Sequence, residues 1–188
     1  MGKPIEVSTA FDKSVRTVTL CEAAEMMQKE FGIKESSEEI YKYAQNLLLY
    51  YYERNVSLKE GAIEYLEYLR QNNVKMCLAS ATEKADVERC LKRFGIDKYF
   101  DCVISCCEVG RSKAFPDIFI AAQKSLGTAM NETWVFEDSL GAIKTASKAG
   151  FKTVGIFDKF NYGHDEMKQI ADIYVGENQT LTDLVSDR

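Results

Sequence analysis

The feature that most constrains the fold is a change of rhythm at Gly61, after which short apolar runs alternate with amphipathic helical segments. Val74 to Ala79, Phe100 to Ser105, Trp134 to Phe136, Lys152 to Ile156 and Ile173 to Val175 read as strands. Between them, Thr82 to Phe94, Pro116 to Leu126 and Leu140 to Ala149 read as helices, stopped by Gly95, Gly127 and Gly150. Strands spaced by helices predict an α/β chain, with a Rossmann-like parallel sheet covered by helices on both faces. In such a sheet, the loops at the carboxyl ends of the strands build the site.

The first third is helical in pattern. Ser36 and Glu39 form a capping box, and Tyr41, Ala44, Leu47, Leu48 and Tyr51 keep apolar side chains three and four apart. The run Tyr50 to Tyr52 is expected to fill the seam between this helical part and the rest. Ile63, Leu66 and Leu69 mark one face of a further helix ending near Asn72-Asn73.

Bulk properties remove whole classes of function. A net charge of −5 and a pI near 5.1 leave no basic footprint for nucleic acid. No apolar run approaches the roughly 18 residues of a membrane span, so a soluble cytoplasmic protein is expected. The six cysteines (Cys21, Cys77, Cys90, Cys102, Cys106 and Cys107) contain no C-x-x-C pair, which favours reduced thiols over a zinc or redox centre.

Side chains able to carry chemistry fall at the strand ends. Ser80 follows the first strand, where a hydroxyl beside free helix amides suits a phosphate, or where Ser80 and Thr82 simply cap the helix. Lys113, in the loop after the second strand, could neutralise a phosphoryl group, although surface lysines are commonplace. Glu137 and Asp138 are adjacent acids at the end of the third strand, a suitable pair for Mg²⁺; the competing reading makes Asp138 an N-cap. His164, the single histidine, reads as a surface-loop residue, because no serine or cysteine nucleophile motif accompanies it. No Asp-x-Asp pair occurs among the 188 residues.

Taken in order, Leu78-Ala79-Ser80-Ala81-Thr82, Ser112-Lys113, Pro116-Asp117-Ile118-Phe119-Ile120-Ala121-Ala122 and Phe136-Glu137-Asp138-Ser139-Leu140-Gly141-Ala142-Ile143 resemble the haloacid dehalogenase superfamily. The nearest likeness is to its β-phosphoglucomutases and sugar-phosphate phosphatases. Ala146, Ala149-Gly150 and Ala171-Asp172 fit its downstream pattern. The resemblance implies an α/β core over residues 55–188 and a helical cap over residues 1–54. It assigns Ser80 and Ala81 to phosphate binding, Lys113 to stabilising a phospho-aspartate, and Glu137 and Asp138 to Mg²⁺. The implied substrate is a small phosphorylated metabolite, processed by an aspartate that becomes an aspartyl-phosphate.

The departures matter as much. The family's first motif, an apolar strand ending in Asp-x-Asp, is absent, and Gly2-Lys3-Pro4-Ile5 resembles a segment from inside the cap. A rival reading takes Phe11-Asp12 as a decayed first motif with Ser14 as its partner, but Glu6-Val7-Ser8-Thr9 is too polar for a buried strand. Lys113 lacks a following proline, and Glu60-Gly61 stands where Pro-Gly is usual. The resemblance places the absent strand between those at Val74 and Trp134. The expectation is therefore a partial cap and a sheet lacking its first central strand. A rearranged sheet, a strand from a partner chain, homo-oligomerisation or marginal stability should follow. Little turnover is expected. The alternative is a non-catalytic remnant that binds phosphorylated ligands or a protein partner. Lys3 is a further candidate for a substrate anion.

Overall fold

The computed structural model describes residues 6–15 and 18–186; Gly2 to Ile5, and with them Lys3, lie outside the described residues. Three helices come first: α1 (Thr9–Val15), α2 (Leu20–Phe31) and α3 (Ser37–Arg54). Both longer helices begin with capping boxes. The Thr19 and Ser36 hydroxyls accept from the amides of Glu22 and Glu39, whose carboxylates accept in return from the cap amides. Helices α2 and α3 pack on each other, and Ala24 is buried there.

Helix α4 (Ala62–Gln71) opens the α/β part. It is followed by β1 (Cys77–Ser80), α5 (Lys84–Phe94), β2 (Cys102–Ser105), the single turn α6 (Cys106–Val109) and α7 (Asp117–Leu126). Then come β3 (Trp134–Glu137), α8 (Leu140–Lys148), β4 (Lys152–Ile156), α9 (His164–Ile170), β5 (Ile173–Val175) and α10 (Asp183–Ser186). Gly95 and Gly127 end α5 and α7 at φ 66°, a left-handed conformation in which a Cβ would be strained.

The strands are shorter at their starts than hydropathy predicts, for local reasons. Val74 still donates to the Leu69 carbonyl at 2.9 Å and belongs to the turn that ends α4. Phe100 donates to Asp97 across a 3₁₀ turn. Helix α5 likewise starts two residues late, because the Ser80 hydroxyl takes the Thr82 amide at 3.1 Å and Ser105 Oγ donates to the Thr82 carbonyl at 2.8 Å. His164 is a correction of another kind: it opens α9 rather than lying in a loop. Its ring sits 4.5 Å from that of Phe157, with Nδ1 3.3 Å from the Tyr174 hydroxyl.

All pairing is parallel, but the strands form two sheets rather than one. In the first, β1 pairs β2 with Ala79 opposite Ile104; in the second, β4 lies between β3 and β5 with Phe136 opposite Val154. Among the described residues β1 and β3 do not pair. Both sheets nevertheless share a core. Ile118 and Phe119 of α7, Val135 of β3, and Ala142 and Ala146 of α8 are buried together, with Ala79 and Ile104 packed against them. On the opposite face Leu78 and Val103 join Met76, Val87 and Leu91 under α4 and α5. Neighbouring strand residues serve opposite layers, as a pleated parallel sheet requires.

Candidate active site

The carboxyl ends of β1, β2 and β3 carry the expected residues, and two of the expected side chains, Lys113 and Glu137, meet at one edge. Lys113 reaches this edge from the loop between α6 and α7. That loop is held by a Phe115 amide bond to the Ser112 carbonyl at 3.0 Å, and Ser112 itself is buried. The Lys113 ammonium forms an ion pair with Glu137 Oε1; the two side chains are 18% and 8% exposed. Each charge offsets the other where water is scarce.

Asp138 follows Glu137 and is half-buried. It does not cap α8: the N-cap is Ser139, with no side-chain hydrogen bond. Among the described residues its carboxylate takes no hydrogen bond or ion pair. Ser80 likewise does not cap α5, whose N-cap is Glu83. Its oxygen instead orders the Ala81–Thr82 turn, while its own O–H donates to nothing among the described residues. The competing capping roles of Ser80 and Asp138 are thus not the ones adopted.

Asp12 is not at a strand end. It sits on α1, where the Tyr162 hydroxyl donates to its Oδ2 at 2.6 Å. Cys106 is fully buried behind the site, and burial pushes its thiol up to about 11, so it is an inert packing group.

The donor set fits magnesium in one respect and falls short in another. Two adjacent carboxylates are a sufficient protein contribution for Mg²⁺, which keeps several waters and takes the rest of its shell from phosphate. No group of three or more His, Cys, Asp or Glu able to hold a metal occurs among the described residues. Glu137 also shares one oxygen with Lys113, which leaves its second oxygen and Asp138 as the available ligands.

Beside this edge lies a cleft of about 180 Å³ between α2, α3 and the turn after β1. It touches the turn after β1 through Ala81 and Thr82 but does not extend to Lys113, Glu137 or Asp138. Three bonds across it tie α3 to the α5 entrance. Tyr41 donates to Glu83 at 3.3 Å, Gln45 donates to Asp86 at 3.1 Å, and the Tyr52 hydroxyl lies 3.4 Å from Thr82 Oγ1. Burial, reinforced by the Glu83 charge, lifts the Tyr41 hydroxyl to about 12. The sequence reading missed Glu83 and Asp86. The only signal was their spacing of three, matched by Tyr41 and Gln45 four apart on α3, and nothing local pairs the two sets.

The fold is an α/β arrangement of parallel strands and helices with the candidate residues at the strands' carboxyl ends. A haloacid dehalogenase-like hydrolase family model matches residues 4–156, and the chain belongs to that family. Among curated relatives, the phosphorylated carbohydrates phosphatase of Thermotoga maritima is 30% identical over 109 residues, covering 56% of this chain and 50% of that protein. The pyrophosphatase PpaX of Halalkalibacterium halodurans is 26% identical over 125 residues, covering 66% and 58% respectively. The chain spans about half the length of the first of these relatives. Of solved structures, β-phosphoglucomutase from Clostridium difficile superposes with a TM-score of 0.77 at 21% identity, over 96% of this chain and 79% of that one. CbbY from Rhodobacter sphaeroides in complex with phosphate gives 0.77 at 18% identity, over 93% and 78%. At these identities the two structures speak for the fold alone. No described helix is long and apolar enough to cross a membrane.

Proposed function

We propose that this chain carries the phosphate and metal grip of a magnesium-dependent phosphatase or phosphomutase for a small phosphorylated metabolite, and that residues 1–188 alone turn over little substrate. The observation that supports the reading is the Lys113–Glu137 ion pair, formed at the strand ends where Ser80 and Asp138 also lie. The Ser80 hydroxyl and the Ala81 amide would donate to phosphate oxygens, and Lys113 would offset their charge. Glu137 and Asp138 would hold Mg²⁺, which when bound lowers the cost of charge on the phosphoryl group. The cleft beneath α2 and α3 would take the remainder of the metabolite. Six free thiols suit a reducing compartment, the cytoplasm.

Aspartyl-phosphate chemistry needs a carboxylate facing the phosphorus. Asp12 is bonded to Tyr162 on a helix and is a poor candidate for that carboxylate. The split sheet therefore favours a second reading, a non-catalytic module that binds phosphorylated ligands or a protein partner with the same loops. Calorimetry with Mg²⁺ tests the grip: Asp138→Asn should weaken affinity at least tenfold, and unchanged affinity would remove Asp138 from the site. Trapping of a phospho-aspartate on residues 1–188 would eliminate the second reading.

A further inference from the structure

Strand register brings together two cysteines that their spacing in the chain does not. Cys77 and Cys102, twenty-five positions apart, are direct partners at the first rung of the β1–β2 ladder. Neighbouring strands lie about 4.8 Å apart, inside the roughly 4.4–6.8 Å range of Cα separations that a disulfide spans. Two bonds hold this rung level: the Met76 amide donates to the Asp101 carboxylate at 2.8 Å, and the Asp101 amide donates to the Met76 carbonyl at 2.8 Å. The pleat aims both thiols the same way. Leu78 and Val103 enter the layer under α4 and α5, so Cys77 and Cys102 stand on the opposite face, the face of Ala79 and Ile104. Both are half-buried there, whereas Cys106 is fully enclosed.

We propose that Cys77 and Cys102 form a two-thiol modification site, which a peroxide oxidises to a reversible disulfide that ties β1 to β2 and steadies that sheet. The two sulfurs have different tasks. Burial, and after it the adjacent Cys102 thiol, pushes the Cys77 thiol well above the ordinary cysteine range, so Cys77 is a poor first nucleophile. The Cys102 thiolate attacks the peroxide and the O–O bond breaks. One oxygen stays on sulfur as a sulfenic acid; the other leaves as hydroxide and recovers the thiol's proton as water. The Cys77 sulfur then attacks the Cys102 sulfur, the S–O bond breaks, and the hydroxyl leaves with the Cys77 proton as a second water. Two electrons have passed from the thiol pair to the peroxide. A relaxed bridge holds its Cβ atoms about 3.8 Å apart, about 1 Å closer than the strand spacing, so this one pulls on the ladder and is readily reduced. Disulfides in reducing compartments are of this transient kind. While closed, the bridge spans the whole β1–α5–β2 segment and restricts its unfolded states. All four residues of β1 are only half-buried, so this sheet has the most to gain.

The test takes residues 1–188, fully reduced and freed of reductant, and adds hydrogen peroxide in slight excess. After alkylation and digestion, mass spectrometry should find one dominant linked pair, Cys77–Cys102, that dithiothreitol reopens. The bridged chain should melt about 5 °C or more above the reduced one. Cys77→Ser should leave a sulfenic acid on Cys102 that dimedone captures, whereas Cys102→Ser should give about tenfold less capture at Cys77. Asp101→Ala frees one side of the rung and should slow bridging about threefold or more. Four results would overturn the proposal. The exposed Cys21 and Cys107 could supply the main bridge, or Cys102 could run on to sulfinic acid with no bridge. The Cys77–Cys102 link could appear only in urea, or it could form without raising the melting temperature. No readout involves phosphate or Mg²⁺, so the outcome is separable from the functional reading.

Discussion

Single residues here are decided by what they would leave behind if removed. Lys113→Met strands the Glu137 carboxylate, which is 8% exposed, without its counter-charge. Breaking a fully buried pair costs about 3–5 kcal/mol, and the partial exposure of Lys113 reduces the expected loss to about 2–3 kcal/mol in urea unfolding. The double variant Lys113→Met/Glu137→Gln should recover part of it. Asp172 is a sharper case. Its carboxylate accepts from the Thr153 amide at 2.7 Å and hydroxyl at 3.0 Å, and Thr153 is fully buried. Asp172→Ala leaves both donors unmet, and chemical denaturation should register a loss of about 2–3 kcal/mol. Sequence reasoning found Asp172 only as part of a resemblance, because Thr153 lies nineteen positions upstream and nothing local links them. Ser80, Lys113, Glu137 and Asp138 were legible because each sits at a place the strand–helix alternation defines. Their mutual geometry was not, since the Lys113–Glu137 pair spans twenty-four residues of sequence.

Elements are joined by polar contacts that the sequence pattern could not rank. Helix α3 was expected to bury Tyr50, Tyr51 and Tyr52 against the rest of the protein. Only Tyr52 turns inward, and it is half-buried, whereas Tyr50 and Tyr51 are 50% and 48% exposed. The face that meets α5 is set by Tyr41, Gln45 and Tyr52, because a helix turning 100° per residue cannot aim three successive side chains at one neighbour. Tyr41 gives this junction a pH signature. Its pKa of about 12 in the folded state lies above its ordinary value of 10.0, so its contribution is complete below pH 10 and disappears as pH rises towards 12. Burial and the nearby Asp165 and Glu177 charges also raise Tyr174, so tyrosinate absorbance should show a late-titrating component that Tyr41→Phe reduces, at a stability cost of about 0.5–1 kcal/mol. Glu67 gives the opposite sign at the junction of α4 with the turn at Tyr99. Hydrogen bonds from Arg70 and Tyr99 hold its carboxyl at about 2, so this contact persists above pH 4.5 and weakens only as pH falls towards 2. Carbon-13 titration of that carboxyl should place its midpoint well below those of the other glutamates.

At the scale of the whole molecule the question is whether two sheets make one cooperative unit. The ladders are separate, but the side-chain layers are not. Ile118 is fully buried in a cluster that takes Val135 from one sheet and Ala79 and Ile104 from the other. Helix α7 packs on both β1 and β2, while its apolar face meets the α8 residues that cover β3. Hydrophobic layers of this kind couple elements without direction or register, so they tolerate a missing ladder that hydrogen bonding could not. Ile118→Ala should therefore cost about 3 kcal/mol, or roughly 6–12 °C in Tm for a chain of this size. The loss should fall on both sheets at once. Trp134 fluorescence reports β3, and the reactivity of Cys77, whose thiol burial holds protonated, reports β1. If the shared core governs, the two probes trace one transition in the parent chain and one, shifted down together, in Ile118→Ala. If the break in the ladder governs, the half-exposed β1 sheet lets Cys77 react before Trp134 responds, and Ile118→Ala widens the interval between them.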